Sequence, residues 1–373
     1  MPKVRVLIVD DSVVIRRLLT DELSKDPDIE VVGAAATGKI ALAKIPQVNP
    51  DIVTMDIEMP EMNGLDAVSE IRKIYDKLPI IMFSTLSQRA ARETLEALSR
   101  GANDYVTKPA NVGSAHLAMQ RVREELIPKI KGLCPDIVPS SHIANPIRPG
   151  GPTSPANSSL SKPKMKGVVG PLEIVAIGVS TGGPNALGEL FGALPANLPV
   201  PIVIVQHMPP VFTKCLAERL TGRGKTPVEE GTAGMVVKAG RAYLAPGDYH
   251  MMVTRRGLNV ELELNQDPPE NSCRPAVDVL FRSVAQVYGR NVLAVMLTGM
   301  GHDGLRGCEV LRDAHAQILA QDEMSSVVWG MPGAVAHAGL ADKILPLSLI
   351  ANEIVSRIQK GRVPRSVGEP ALC

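Results

Sequence analysis

The chain has 373 residues, with 40 Lys plus Arg against 39 Asp plus Glu and a formal net charge of +1. At roughly 150 residues per domain there is room for two or three domains, and the balanced charge leaves no global field to gather nucleic acid or an acidic membrane surface. Hydrophobic residues make up 45% and aromatic residues only 3%, so the core is aliphatic, which suits α/β layers better than a β-sandwich.

In chain order, short β-branched runs are predicted as strands at Val4 to Val9, Glu30 to Ala34, Ile52 to Met55, Ile80 to Phe83 and Asp104 to Val106. Between them, stretches such as Val13 to Leu23 and Leu65 to Ile74 repeat apolar residues three and four apart, the helical period. Five strands alternating with five helices imply a parallel sheet covered on both faces. From Gly132 to Gly170 the pattern gives way to Pro, Ser, Gly and Asn, the composition of an extended linker. Periodicity returns after Leu172. Ile174 to Ile177, Ile202 to Val205 and Val292 to Leu297 read as buried parallel strands, each ending in polar or glycine residues. Segments near Tyr243, Met251 to Thr254 and Leu258 to Leu264 read as a β-hairpin insertion turning at Arg255-Arg256-Gly257. The expected division is 1–131, a linker at 132–170, a second α/β domain at 171–360 and a frayed tail at 361–373. No internal repeat is visible.

Cys134, Cys215, Cys273, Cys308 and Cys373 are scattered, with no C-x-x-C pair, which argues against a disulfide or zinc scaffold. The apolar run before Asp10 is too brief for a signal segment, and about 18 uninterrupted apolar residues occur nowhere. A reduced, cytoplasmic chain without membrane insertion is expected.

Two sets of residues carry chemistry. In a doubly wound sheet the carboxyl ends of the strands share one edge. That edge gathers Asp10 and Asp11 after the first strand, Asp56 at the end of the third, Ser84 at the end of the fourth and Lys108-Pro109 after the fifth. Carboxylates so close repel unless a hard cation sits among them, and Mg²⁺ favours a few oxygens plus water and phosphate. Asp56 could then be a nucleophile toward a phosphoryl group whose oxygens Ser84 and Lys108 would bind; Thr85 is the second choice to Ser84. The plainer account is that such acids and hydroxyls only cap helices.

The ordered set Asp10-Asp11, Asp56-Ile57-Glu58-Met59-Pro60 with Gly64, Ser84 and Thr107-Lys108-Pro109 resembles the receiver domain of two-component response regulators. The resemblance covers about residues 3 to 130. It implies a flavodoxin-like fold, phosphorylation of Asp56 by a histidine kinase, Mg²⁺ bound by Asp10, Asp11, Asp56 and the backbone carbonyl of Glu58, and a phosphoryl group read by Ser84 and Lys108.

In the second domain, Gly178-Val179-Ser180-Thr181-Gly182-Gly183-Pro184 follows a strand and precedes a helix, fitting G-x-S-x-G, in which a sharp turn exposes the serine hydroxyl. A plain glycine turn and a phosphate cradle are competing accounts, although both G-x-G-x-x-G and the Walker lysine are missing. A serine nucleophile needs a base and an orienting acid. His207 and Asp303 also follow strands and could supply them.

These residues, with Gln206-His207-Met208-Pro209, Ala245 to His250, Cys273 to Asp278 and Leu297 to Gly301 with Asp303-Gly304, resemble the catalytic domain of the chemotaxis protein-glutamate methylesterases. The resemblance spans about residues 172 to 357 and implies a Rossmann-like domain. It implies Ser180 as nucleophile, His207 as base, Asp303 as orienting acid, and the amides of Thr181 and Met300 as the oxyanion hole. The implied activity is hydrolysis of glutamate methyl esters on chemoreceptors, and deamidation of glutamines, with no cofactor for the ester chemistry. His302 is expected to be idle, Arg274 to touch the substrate's surroundings or pair with Asp278, and Asp248 and His250 to be turn and surface residues. The runner-up function is a receiver fused to a nucleotide- or ligand-binding α/β module that works as a scaffold or signalling adaptor without hydrolysis.

Overall fold

The computed structural model describes residues 2–108, 119–120, 122–137 and 171–360. In the first domain, strands β1 (Val4–Val9), β2 (Ile29–Ala35), β3 (Ile52–Asp56), β4 (Ile80–Ser84) and β5 (Asp104–Thr107) form one parallel sheet in the order β2-β1-β3-β4-β5. Every residue of β3, β4 and β5 is buried, as expected of strands covered on both faces. Helices α1 (Val13–Leu23), α2 (Gly38–Val48), α3 (Gly64–Ile74) and α4 (Gln88–Ser99) each begin at a side-chain cap. Ser12, Thr37, Asn63 and Ser87 accept from the amides of Ile15, Ile40, Asp66 and Ala90. Each such cap stabilises its helix by about 1 kcal/mol and fixes where the chain leaves a strand end. After β5 the description resumes with a π-helical turn, Val122–Leu126, that runs into a helix, Ile127–Leu133. The expected linker start at 132 is corrected, because Gly132 and Leu133 end this helix and Cys134 packs with Ile130 into the first domain's core; the rest of the predicted linker, from 138, and the tail from 361 lie outside the described residues.

The second domain holds a seven-stranded parallel sheet built from β6 (Ile174–Val179), β7 (Ile202–Gln206), β8 (Val228–Glu230), β9 (Ala242–Leu244), β12 (Val292–Met296), β13 (Gln317–Gln321) and β14 (Lys343–Leu345), in the order β14-β13-β12-β6-β7-β9-β8. Strands β6, β7 and β12 are buried along their whole length. A separate antiparallel hairpin pairs β10 (His250–Arg256) with β11 (Asn259–Asn265).

Two local expectations are corrected. The segment at Tyr243 is β9, a parallel strand paired with β7 and β8 and not part of the hairpin. Because Arg256 pairs with Asn259, the hairpin turns at Gly257-Leu258, and Arg255 and Arg256 remain in the strand. Gly257 at φ +60 supplies the left-handed backbone that such a two-residue turn demands.

The two domains touch. Tyr105 of β5 stacks on Phe212, which opens the helix Phe212–Arg223, with ring centroids 4.9 Å apart and planes within 3°. Asn185 Nδ2 donates to the Leu98 carbonyl at 2.7 Å, and Arg92–Glu218 and Arg219–Glu96 pair across the boundary at 3.3 and 3.7 Å. The α4–β5 face of the first domain therefore packs against the helices that start just after β6 and β7 in the second.

Candidate active site and phosphoacceptor pocket

The second-domain site is set by strand register. β6 pairs with β7 so that Val179 faces Gln206, and the His207 amide donates to the Val179 carbonyl at 3.3 Å. Ser180 and His207 are thus the first residues past two paired strand ends. On the other side β12 pairs with β6, with Met296 opposite Gly178, and the Ser180 amide donates to the Thr298 carbonyl at 3.0 Å.

The turn after Ser180 depends on two glycines. Gly182 has φ +77, and a Cβ there would lie 2.5 Å from Val327 Cγ2. At Gly183 a Cβ would lie 1.9 Å from Gln206 Oε1. Gln206 fills that space because its Nε2 donates to the carbonyls of Ser180 and His207, at 3.0 and 3.3 Å. The amides of Ser180 and Gly183 are already taken by the Thr298 and Ser180 carbonyls, which weakens the phosphate-cradle account of this loop.

His207 and Asp303 meet. The imidazole Nε2 lies 2.7 Å from Asp303 Oδ2. Asp303 sits at the start of the helix Val277–Tyr288: Oδ2 also accepts from the Val277 amide at 2.6 Å, and Oδ1 accepts from the Asp278 amide at 3.1 Å and from Asn271 Nδ2 at 2.8 Å. Burial alone would raise the Asp303 carboxyl; the His207 contact and the two amides outweigh it and hold the group below the usual carboxylate range. An ionised Asp303 can only accept, so Nε2 donates to it, and Nδ1 on the other side of the ring lies 3.5 Å from Cys273 Sγ. Burial opposes charging of the imidazole, but the neighbouring Cys273 sulfur and Asp303 raise its pKa. Among the described residues no hydrogen bond joins the Ser180 hydroxyl to His207. Apo sites often show this and tighten only around substrate.

The neighbours of this set differ from expectation in three ways. Arg274 pairs with Asp248, through Nε at 3.0 Å and Nη2 at 2.5 Å, and Nη1 donates to the Gln266 and Asp267 carbonyls. It does not pair with Asp278, because it precedes the helix on which Asp278 lies; Asp278 instead accepts from the Gly307 amide at 2.6 Å and Asn271 at 2.9 Å. His250 is 1% exposed, not a surface residue. It accepts from the Ala276 amide and contacts the Pro268 carbonyl, tying the hairpin to the segment before the helix. Asn271, Gln206 and Thr298 were not foreseen, since an amide or hydroxyl that supports a site leaves no motif of its own.

The first-domain pocket gathers the residues expected there. Lys108 Nζ lies 2.9 Å from Asp10 Oδ2 and 2.8 Å from Asp56 Oδ2. One carboxylate oxygen each from Asp10, Asp11 and Asp56 fall within 4.8 Å of one another. Asp11, Asp56, Glu58, Ser84, Thr85 and Lys108 line a cavity of about 160 Å³. Ser84 is buried and accepts from Thr94 Oγ1 at 2.8 Å, whereas Thr85 is exposed. Burial, and then the Asp10 charge, push the Asp56 carboxyl up to about 6 against the opposing pull of Lys108. The all-oxygen donor set, its crowded negative charge and the lysine ammonium already drawn between two carboxylates fit a hard divalent cation.

A carboxylate whose folded pKa is raised contributes stability below its unfolded value and loses it as pH rises through the folded one. Asp56→Asn is therefore expected to raise the melting temperature at pH 7.5 by several degrees, for a gain on the order of 2–3 kcal/mol. The difference should close toward pH 4. Paired thermal melts at the two pH values check this, and a variant no more stable than wild type at pH 7.5 defeats it.

Comparisons with known proteins match a family to each of the two domains. Residues 175–354 match the family described as CheB methylesterase, and residues 6–120 match the response regulator receiver domain. The chain is 55% identical over 358 residues to the protein-glutamate methylesterase/protein-glutamine glutaminase of Trichodesmium erythraeum, covering 96% of this chain and 100% of that relative. It is 50% identical over 362 residues to the protein of the same name from Nocardioides sp., covering 97% of each. The crystal structure of the Thermotoga maritima CheB methylesterase catalytic domain is similar at 41% identity and a TM-score of 0.49, covering 50% of this chain and 98% of that one.

Proposed function

Because the chain belongs to the receiver-linked protein-glutamate methylesterase/protein-glutamine glutaminase family, we propose that Ser180, His207 and Asp303 carry ester hydrolysis and that Asp56 accepts the phosphoryl group that controls it. The observation that carries the reading is the Asp303–His207 contact at 2.7 Å, made beside a serine whose strand end is paired with that of the histidine.

The substrates are the γ-methyl esters of chemoreceptor glutamates. His207 Nδ1 takes the Ser180 proton as Oγ attacks the ester carbonyl, and Asp303 stabilises the imidazolium that forms. The charge on the carbonyl oxygen falls to the amides of Thr181 and Met300; one such donor is worth about 3–4 kcal/mol. Collapse breaks the C–OCH₃ bond, and the departing methoxide oxygen takes the proton back from His207 and leaves as methanol. Water, deprotonated by the same nitrogen, then frees the glutamate and restores Ser180. With glutamine in place of the ester, ammonia leaves by the same route.

In the first domain, Asp10, Asp11, Asp56 and the Glu58 carbonyl would hold Mg²⁺, which supplies neutralisation of the charge brought by a phosphoryl donor such as a kinase phosphohistidine. The Asp56 carboxylate is the nucleophile, and Lys108 and Ser84 bind the acquired oxygens. Among the described residues no helix is long and apolar enough to cross a membrane, and the chemoreceptors that carry the methylated glutamates are the partners.

The control is steric. Asp104 of β5 accepts from Thr181 Oγ1 at 2.9 Å, and a Cβ on Gly132 would come within 2.9 Å of Met300 Sδ. The first domain thus lies against both residues assigned to the oxyanion hole. Release of methanol from methylated receptor membranes is the test: it should rise on adding acetyl phosphate with Mg²⁺, and Asp56→Asn should abolish the rise while keeping the basal rate. A phosphodonor response that survives Asp56→Asn overturns the assignment of Asp56.

A further inference from the structure

Among the described residues, Cys273 is a nucleophilic side chain beside the second-domain site to which the hydrolytic reading gives no task. Its sulfur is in hydrogen-bond contact with His207 Nδ1 at 3.5 Å, on the side of the ring away from Asp303. The loop that presents it is stiff. Glu270 and Cys273 exchange both backbone hydrogen bonds, at 2.9 and 3.1 Å, across a two-residue turn with Asn271 at φ 53 and Ser272 at φ 62. The turn is pinned on both sides, by the paired Arg282–Glu270 contacts at 2.7 and 2.6 Å and by Asn271 Nδ2 bridging Asp278 and Asp303.

The spacing has a chemical meaning. A tetrahedral zinc ion with Zn–S of about 2.3 Å and Zn–N of about 2.0 Å holds its sulfur and nitrogen ligands about 3.5 Å apart, which is the separation already present. The unbound ring nitrogen of a metal-ligating histidine commonly donates to a carboxylate, and that bond fixes the ring and raises its basicity; here Nε2 donates to Asp303 Oδ2. One donor atom from each of His207, Cys273 and Asp303 lies within 4.8 Å of the other two. Sulfur and imidazole select a thiophilic ion over Mg²⁺, so this set is chemically distinct from the all-oxygen pocket of the first domain.

We propose that Cys273 Sγ and His207 Nδ1 bind Zn²⁺ or a similarly thiophilic divalent cation, with Asp303 supporting the histidine from behind, and that the bound ion reversibly silences ester hydrolysis. The thiol proton is released to solvent as the metal–sulfur bond forms. The ion takes the lone pair that would receive the Ser180 proton, and no oxidation state changes. The silencing rests on His207 being the base; the metal site does not.

Two readouts on the full-length chain, kept in excess Mg²⁺, separate these claims. Titration with Co²⁺ should give a near-ultraviolet sulfur-to-cobalt charge-transfer band, saturating stoichiometrically and bleached by Zn²⁺. The band should persist in Ser180→Ala and vanish in Cys273→Ser. Methanol release should fall about tenfold or more with saturating Zn²⁺, recover on chelation, and need about tenfold more Zn²⁺ for half-inhibition in Cys273→Ser. A wild-type chain without the band, or a band unchanged in Cys273→Ser, overturns the site. A band accompanied by undiminished hydrolysis overturns the silencing and the role of His207 with it.

Discussion

Replacing Ser180 with alanine is expected to lower methanol release from methylated receptor by roughly 10⁵–10⁶-fold, His207→Ala nearly as much, and the double variant no more than either alone. The non-additivity follows because the hydroxyl and imidazole act as one proton-transfer unit, so that loss of one leaves the other without a task. Asp303→Asn should cost about 10⁴-fold through a different route. With its single oxygen in the Oδ1 place, asparagine keeps the bond from the Asp278 amide but leaves the Val277 amide, which now donates to Oδ2, without an acceptor. Its amide nitrogen, however, would donate to His207 Nε2, moving the ring proton to Nδ1 and removing the base. Phosphate incorporation at Asp56 should be unaffected in all four variants, which separates a lesion in the chemistry from a lesion in folding. Retention of most of the esterase activity in Ser180→Ala would falsify the nucleophile assignment.

The candidate side chains were legible in the sequence because polar groups at strand ends leave a local signature. A buried aliphatic run stops and a polar residue stands at its carboxyl end: Ser180, His207 and Asp10 come first past their strands, and Asp56 and Ser84 close theirs. What stayed hidden depends on partners distant along the chain. The edge strands Val228–Glu230 and Lys343–Leu345 have only three residues each, too few to show a period. Tyr243 carries a β-rich segment that a hairpin or a sheet strand would suit equally, and only pairing with β7 decides between them. Burial of His250 and the pairing of Arg274 with Asp248 are set by how the hairpin folds back over the segment preceding Val277, which no spacing within either stretch reveals. Cys273 stood within a recognised run, yet its relation to His207, 66 residues away, exists only in the folded chain.

Deleting residues 1–131 is expected to raise the basal rate of methanol release by between tenfold and about a hundredfold, and to abolish the response to acetyl phosphate. The upper figure corresponds to a docked state outnumbering the open one by about 99 to 1, which the removal of the covering domain would relieve completely. Contacts worth a few kcal/mol in total suffice for such a ratio, and the boundary offers them: the Tyr105–Phe212 stack, the Thr181–Asp104 hydrogen bond and the two charge pairs. Deletion also uncovers Phe212 and its apolar surroundings, so a change within the intact chain is the sharper measurement. Glu96→Arg and Arg219→Glu each place like charges across the boundary and should raise the basal rate severalfold, whereas the two together restore the pair with its polarity reversed and should return the rate toward wild type. A half-exposed pair is worth at most about 1 kcal/mol, so the single reversals act mainly by adding repulsion to an interface held by only a few kcal/mol in total. Rescue in the double variant requires that these two side chains face each other in the repressed state. Failure of either single change to raise the rate, with deletion also silent, would mean that the first domain controls the site by some route other than covering it.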